Sequence, residues 1–170
     1  MYSPAEVARR YVETGKSKAA LPVGRMLLLG MLAGAFIALA GGSATFAVSY
    51  GGRLAGAAVF PAGLAMVLLA GSELFTGNCL LVIPLLERQL TWGRMLRSWG
   101  VVYLANVLGA GLVAALTVAA GTFDGVYESV VATAAAKAGL PFLTALLRGV
   151  LCNFLVCIAV WMSLAAQSVP

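Results

Sequence analysis

Gly71-Ser72-Glu73-Leu74-Phe75-Thr76-Gly77-Asn78 interrupts thirty residues, 57–86, that otherwise read as one transmembrane helix. Unbroken, that helix would be about 45 Å long against a hydrocarbon core of roughly 30 Å. If the first helix ended at Gly71, the remaining apolar run, residues 79–86, would cover only about 12 Å and could not span. Two half-helices meeting at a short irregular loop near the membrane midplane resolve the mismatch. Non-helical backbone at that depth survives only where protein buries it or a wet cavity lines it. Channels and transporters place substrate sites at such breaks. A steeply tilted helix ending in an interfacial loop is the alternative that the pattern leaves open.

Composition agrees with a membrane protein. Of 170 residues, 62% are hydrophobic and 10% charged, with mean hydropathy +0.99. A soluble domain of this size could not hide so much apolar surface, so the class is all-α and polytopic. The first 25 residues carry Glu6, Arg9, Arg10, Glu13, Lys16 and Lys18 and contain no apolar core of a signal peptide. Histidine is absent, which removes the usual general base and the commonest metal ligand. Cys79, Cys152 and Cys157 lie in apolar segments without metal-ligand spacing and read as small buried hydrophobes. No cofactor, metal site or enzymatic nucleophile–base constellation is expected.

Four membrane-spanning units follow an amphipathic N-terminal segment, 1–25, and together form a transmembrane domain over 26–170. Helices are expected near 26–49, 57–71, 80–87, 98–120 and 142–166, with a break at 73–78. Arg9, Arg10, Lys16, Lys18 and Arg25 precede the first span, and Arg88, Arg94 and Arg97 separate the second from the third. Arg53 and Lys137 alone fall on the other side, so the N-terminus reads as cytoplasmic. Topology therefore explains the net charge of +5 without a nucleic-acid surface. Ser3-Pro4-Ala5-Glu6 is a helix-start signal, and Val7, Tyr11 and Val12 make an apolar face suited to the membrane surface. Trp92, Met95 and Trp99, in residues 91–99, read as a second interfacial anchor. Gly30 with Gly34, and Ala105 with Gly109, are spaced for close helix packing.

The motifs extend beyond the break. Phe60-Pro61-Ala62-Gly63-Leu64 precedes it; Thr91-Trp92-Gly93, Trp99, Tyr103, Asn106 and Gly109 follow, then Leu147-Arg148-Gly149-Val150-Leu151-Cys152-Asn153. In this order and spacing the chain resembles the formate/nitrite transporter family over nearly its whole length. The resemblance implies an aquaporin-like helical bundle, usually a homopentamer in the plasma (inner) membrane, with one pore per protomer for formate, nitrite or hydrosulfide. It implies that Phe60, Leu64, Leu74 and Phe75 form the apolar constriction. It also implies that Thr76 meets a central histidine, that Lys137 attracts the anion in a vestibule, and that Asn153 faces the pore.

One departure is large. The family has six helices, with its histidine in a second broken helix, the fifth. This sequence stops at Gln167-Ser168-Val169-Pro170 and holds no histidine. It therefore reads as the N-terminal two-thirds of a longer protein, with the proton partner outside these residues and no selective conduction by residues 1–170 alone. The alternative function is a truncated, non-conducting membrane subunit or assembly protein. A water or glycerol pore would need paired Asn-Pro-Ala loops, which are absent.

An anion crossing an apolar ring must shed water at great cost, so passage as the neutral acid is expected. Thr76 and Asn153 can each donate and accept hydrogen bonds to a carboxylate or nitrite oxygen. Glu73 and Arg148 are ionisable groups in the membrane. For Glu73 a structural role is favoured, capping the second half-helix or accepting loop amides; Arg148 snorkels outward or pairs with it.

Overall fold

The computed structural model describes residues 1–167 and is all-α over them, helices joined by short loops, without strands among the described residues. Ser168, Val169 and Pro170, at the expected continuation, lie outside the described residues. The N-terminal signal does what its residues dictate. Helix α1 spans Pro4–Ala19, with Ser3 as N-cap. The Ser3 backbone N–H donates to Glu6 at 2.8 Å, and the Glu6 N–H donates to the Ser3 hydroxyl at 3.4 Å. The Ser3 hydroxyl, donating to the Glu6 carboxylate at 2.7 Å, and then the Ser3 N–H, helped weakly by Arg9 and Arg10, hold the Glu6 carboxyl below its ordinary range. That small contribution to stability is present above the unfolded carboxylate pKa and fades as pH falls through the lowered value.

The apolar face of α1 does not lie on lipid, as the sequence suggested. Val7, Tyr11, Val12, Gly15 and Ala19 are buried, and the helix packs on residues 79–86 and on the fourth span. A β-carbon on Gly15 would come within 2.9 Å of the Pro84 ring. Protein rather than lipid therefore covers the stripe.

Helix α2, Val23–Val59, is two antiparallel passes joined at a reversal. Gly52, with φ 76° and ψ −178°, occupies backbone space essentially reserved for glycine. Beyond it Gly56 returns against Ala44 and Val48, and Gly63 against Phe36, Ile37 and Ala40. The second span thus begins at the Gly52 reversal, several residues before the expected start at 57. Helix α3, Pro61–Leu69, continues it after a bend at Phe60 and Pro61.

The break is present, but it lies earlier than 73–78. Helix α3 ends at Leu69, and α4, Phe75–Asn78, begins the second half. A 3₁₀ turn, Cys79–Leu81, and α5, Val82–Leu86, complete it. Phe75 to Asn78 are helical because Gly71, at φ 61°, closes a C-terminal motif: the Ser72 N–H reaches the Val67 carbonyl and the Gly71 N–H that of Leu68. The irregular backbone is thereby confined to residues 70–74.

Helix α6, Trp92–Ala119, absorbs the expected anchor at 91–99, because Thr91 caps it through the Arg94 N–H. Only Trp92 of that trio is well exposed; Met95 is buried and Trp99 turns inward. A 3₁₀ turn, Asp124–Val126, leads to α7, Tyr127–Ala138, an additional helix that the sequence reading left as loop. Helix α8, Phe142–Ala165, is the last span. Among the described residues three stretches are long and apolar enough to cross a membrane: Val23–Leu69, which holds the reversal, Trp92–Ala119 and Phe142–Ala165.

Small residues seam α2 to α6. Gly30 faces Ala105, with only 2.6 Å between the Ala105 β-carbon and one built on Gly30. A β-carbon on Gly34 would collide with the Asn106 backbone, and one on Gly109 with that of Met31. The two spaced pairs in the sequence are thus partners of each other. Gly109→Val should force these helices apart at a cost of about 3 kcal/mol or more. Thermal unfolding in detergent should show the loss, and Gly111→Val, at a position with open space, should be tolerated.

Candidate functional site

A break within a span strands backbone groups that lipid cannot satisfy. Here Asn106, held against α2 by the seam, serves two of them and anchors to one carbonyl of α2. Its Nδ2 donates to the Gly30 carbonyl at 2.8 Å and the Glu73 carbonyl at 2.9 Å, and its Oδ1 accepts the Phe75 N–H at 2.9 Å. The Glu73 N–H donates to the Leu29 carbonyl at 3.1 Å. The Ser72 hydroxyl turns back on Val67, at 3.1 Å.

The second group of partners is charged. Glu73 is 3% exposed, which for a carboxylate demands a partner. Lys18, from α1, supplies it at 2.9 Å, and the Asn78 amide takes the other carboxylate oxygen at 2.8 Å. Asn78 also reaches Ser98, at 3.4 Å, and its carbonyl accepts the Trp99 indole N–H at 2.8 Å. The Glu73 partner is therefore Lys18 and not Arg148, whose side chain is exposed on α8. Tyr11 adds a bond at 3.4 Å to the Gly77 carbonyl. Burial, reinforced by the Glu73 charge, pushes the Tyr11 phenol well above its ordinary pKa, so it stays protonated as a donor.

Around this frame the expected site residues fall in four places. Leu64 and Leu74 line one cavity of about 100 Å³, together with Tyr11, Lys18, Asn78 and Val160. The Phe75 ring instead packs edge-on against Trp99 and Tyr103, with centroids 6.1 and 5.4 Å away. Phe60 precedes Leu64 by one turn and is about half exposed. The Thr76 carbonyl accepts from the Cys157 thiol at 3.4 Å, so the turn holding Thr76 abuts α8. Asn153 sits one turn earlier on α8, beside Cys79, with a buried Oδ1 that lacks a hydrogen-bond partner among the described residues.

Lys137 lies elsewhere, near the end of α7. It lines a cavity of about 440 Å³ with Gly42, Phe46, Thr117, Phe123 and Thr133. This is an apolar hollow with a few hydroxyls and one cation, open enough for small solutes. Three participants escaped the sequence reading as site residues: Lys18, Asn78 and Asn106. Asn106 was visible as a motif member, and a lone polar residue in an otherwise apolar span is itself a signal. Lys18 gave no such signal, because its partner lies 55 positions away.

Irregular backbone held in the middle of a span, with flanking cavities, defines a polytopic membrane transport protein. A formate/nitrite transporter profile matches residues 5–170, and the chain belongs to that family. Its relatives are transporters and channels, not enzymes. An uncharacterised transporter, YrhG, from Bacillus subtilis is 39% identical over 96% of this chain and 66% of its own length. A probable formate transporter from Methanothermobacter thermautotrophicus is 34% identical over 98% of this chain and 71% of its own. The formate channel FocA of Escherichia coli is 32% identical over 97% and 62% respectively. A solved FNT family ion channel superposes with TM-score 0.85 at 27% identity, covering 96% of this chain and 70% of that one. The chain thus spans about two thirds of the length of its curated relatives.

Asn106→Leu, similar in volume, would leave the Phe75 N–H and the Glu73 carbonyl short of partners, at about 1–3 kcal/mol for each buried group, and would cut the loop's tie to the Gly30 carbonyl of α2. We expect a lower unfolding midpoint and faster amide exchange at Phe75. An unchanged exchange rate there would remove Asn106 from its clamping role.

Proposed function

We propose that the protein conducts small monovalent anions, with formate first, nitrite second and hydrosulfide a third candidate. The observation that carries this reading is the pairing of a clamped, broken span with an apolar cavity at Leu64 and Leu74. Formate channels and a probable formate transporter among the relatives supply the substrate class. Lys137 raises the local anion concentration in the outer hollow, of which it is the cationic lining residue. Beyond it Leu64 and Leu74, with Phe60 one turn before Leu64, disfavour a bare ion, while the Phe75 ring backs the turn from the Trp99 and Tyr103 side. Desolvation raises the pKa of an entering carboxylate, so the solute crosses as its neutral acid. Thr76 and Asn153 offer hydrogen bonds on the way, and the unpartnered Oδ1 of Asn153 suits a protonated substrate.

The assembly in this proposal is a cyclic homo-oligomer, a pentamer by resemblance, in the plasma membrane with its N-terminus in the cytoplasm. Leu104, Leu108, Leu112 and Leu116, each more than half exposed, form an apolar stripe along α6 for lipid or a neighbouring subunit. Native mass spectrometry of the detergent-solubilised protein should find the oligomer, and monomers alone would exclude it.

Flux decides the function. Proteoliposomes holding the full-length translation product should take up radiolabelled formate faster as external pH falls. Lys137→Ala should raise KM several-fold with a smaller change in kcat, and added salt should shrink the difference by screening. Residues 1–170 assayed alone are expected to give no saturable, selective uptake. Formate uptake no faster than in protein-free liposomes, by the full-length product, would favour a non-conducting assembly subunit.

A further inference from the structure

The proposed pore makes no use of the cysteines, yet two of them reach adjacent carbonyls at the break. The Cys79 thiol lies 3.5 Å from the Phe75 carbonyl, one turn back in its own half-helix. The Cys157 thiol comes from α8 and lies 3.4 Å from the Thr76 carbonyl. Phe75 and Thr76 are consecutive, so thiols from two separate spans rest against adjacent carbonyls of one turn. Both are free and half-buried, whereas Cys152, also on α8, is exposed. A thiol is a weak donor, so neither contact resists replacement by a covalent bond.

We propose that Cys79 and Cys157 form an oxidisable dithiol, whose disulfide ties α8 to the broken span and restricts conduction. The oxidant is a small peroxide. Hydrogen peroxide oxidises the Cys79 thiol to a sulfenic acid, its O–O bond breaks, and one water leaves. The unpartnered Oδ1 of Asn153, beside Cys79, is placed to accept the sulfenic O–H. The Cys157 sulfur then attacks the Cys79 sulfur, the S–O bond breaks, and the hydroxyl leaves as a second water with the Cys157 proton. Two thiols have lost two electrons, and one peroxide has become two waters.

A disulfide holds its α-carbons about 4.4–6.8 Å apart, so bond formation fixes α8 against the turn that carries Thr76. It also removes the Cys157 donor from the Thr76 carbonyl. Disulfides in a reducing compartment are transient and suited to sensing, and cellular dithiols reverse this one. The effect on conduction rests on the anion-channel reading; the bond itself does not.

The test treats the full-length protein in proteoliposomes with hydrogen peroxide, then divides each sample between peptide mapping and formate flux. Linked peptides carrying Cys79 and Cys157 are expected, together with a several-fold loss of flux that dithiothreitol reverses. Cys79→Ser and Cys157→Ser should each abolish both the link and the sensitivity, while Cys152→Ser should preserve them. Separate over-oxidation of Cys79 and Cys157 without a link would overturn the dithiol. A linked protein conducting at the reduced rate constant would overturn the restriction. If the reduced protein carries no formate at all, the mapping still decides the dithiol, and the failure belongs to the channel reading.

Discussion

Everything at the centre of this molecule depends on satisfying backbone polar groups where a span is interrupted. Lipid offers no hydrogen bonds, so an open turn at that depth would cost several kcal/mol for each orphaned group. The chain meets that cost with side chains from three other elements. Asn106 from α6 serves the loop on one side, and Lys18 from α1 serves it through Glu73 on the other. Asn78 closes the circuit from within the second half-helix.

Close packing comes first in this hierarchy. An asparagine amide is short, so Asn106 can reach the Gly30 carbonyl only if α2 and α6 nearly touch. Glycine at 30, 34 and 109 permits that approach, because a β-carbon there would strike the facing helix. The same glycines therefore serve the seam and, through it, the clamp. Small residues in the membrane do two jobs here: they bring backbones together, and they bring a polar side chain within reach of a strained segment.

These dependencies also explain what was legible in the sequence. The break was legible because length and bilayer thickness conflict, an argument that needs no partner. The helix-start box at Ser3 was equally local. The break lies earlier than expected because Gly71 closes α3 by a local capping motif, after which nothing prevents Phe75 from entering a helix. The additional helix α7 was missed because its alanine-rich run, 132–136, has neither apolar periodicity nor a side-chain cap. Lys18 reads as a topogenic charge and Trp99 as an interfacial anchor and motif member, with a partner assigned to neither. Each finds its partner through tertiary packing, which sequence spacing does not encode.

The charge arrangement finally bears on the proposed anion path. A buried glutamate beside a path for anions would repel them, which made Glu73 unsuitable as a ligand. With Lys18 at 2.9 Å and the Asn78 amide on its second oxygen, Glu73 presents a neutral, hydrogen-bonded pair. Lys18 lines the same cavity as Leu64 and Leu74, whereas the Glu73 carboxylate is almost wholly covered. The cavity thus meets the cationic member of the pair while protein covers the anionic one. The ion pair that joins α1 to the loop therefore also keeps the electrostatics of the break compatible with a negative solute.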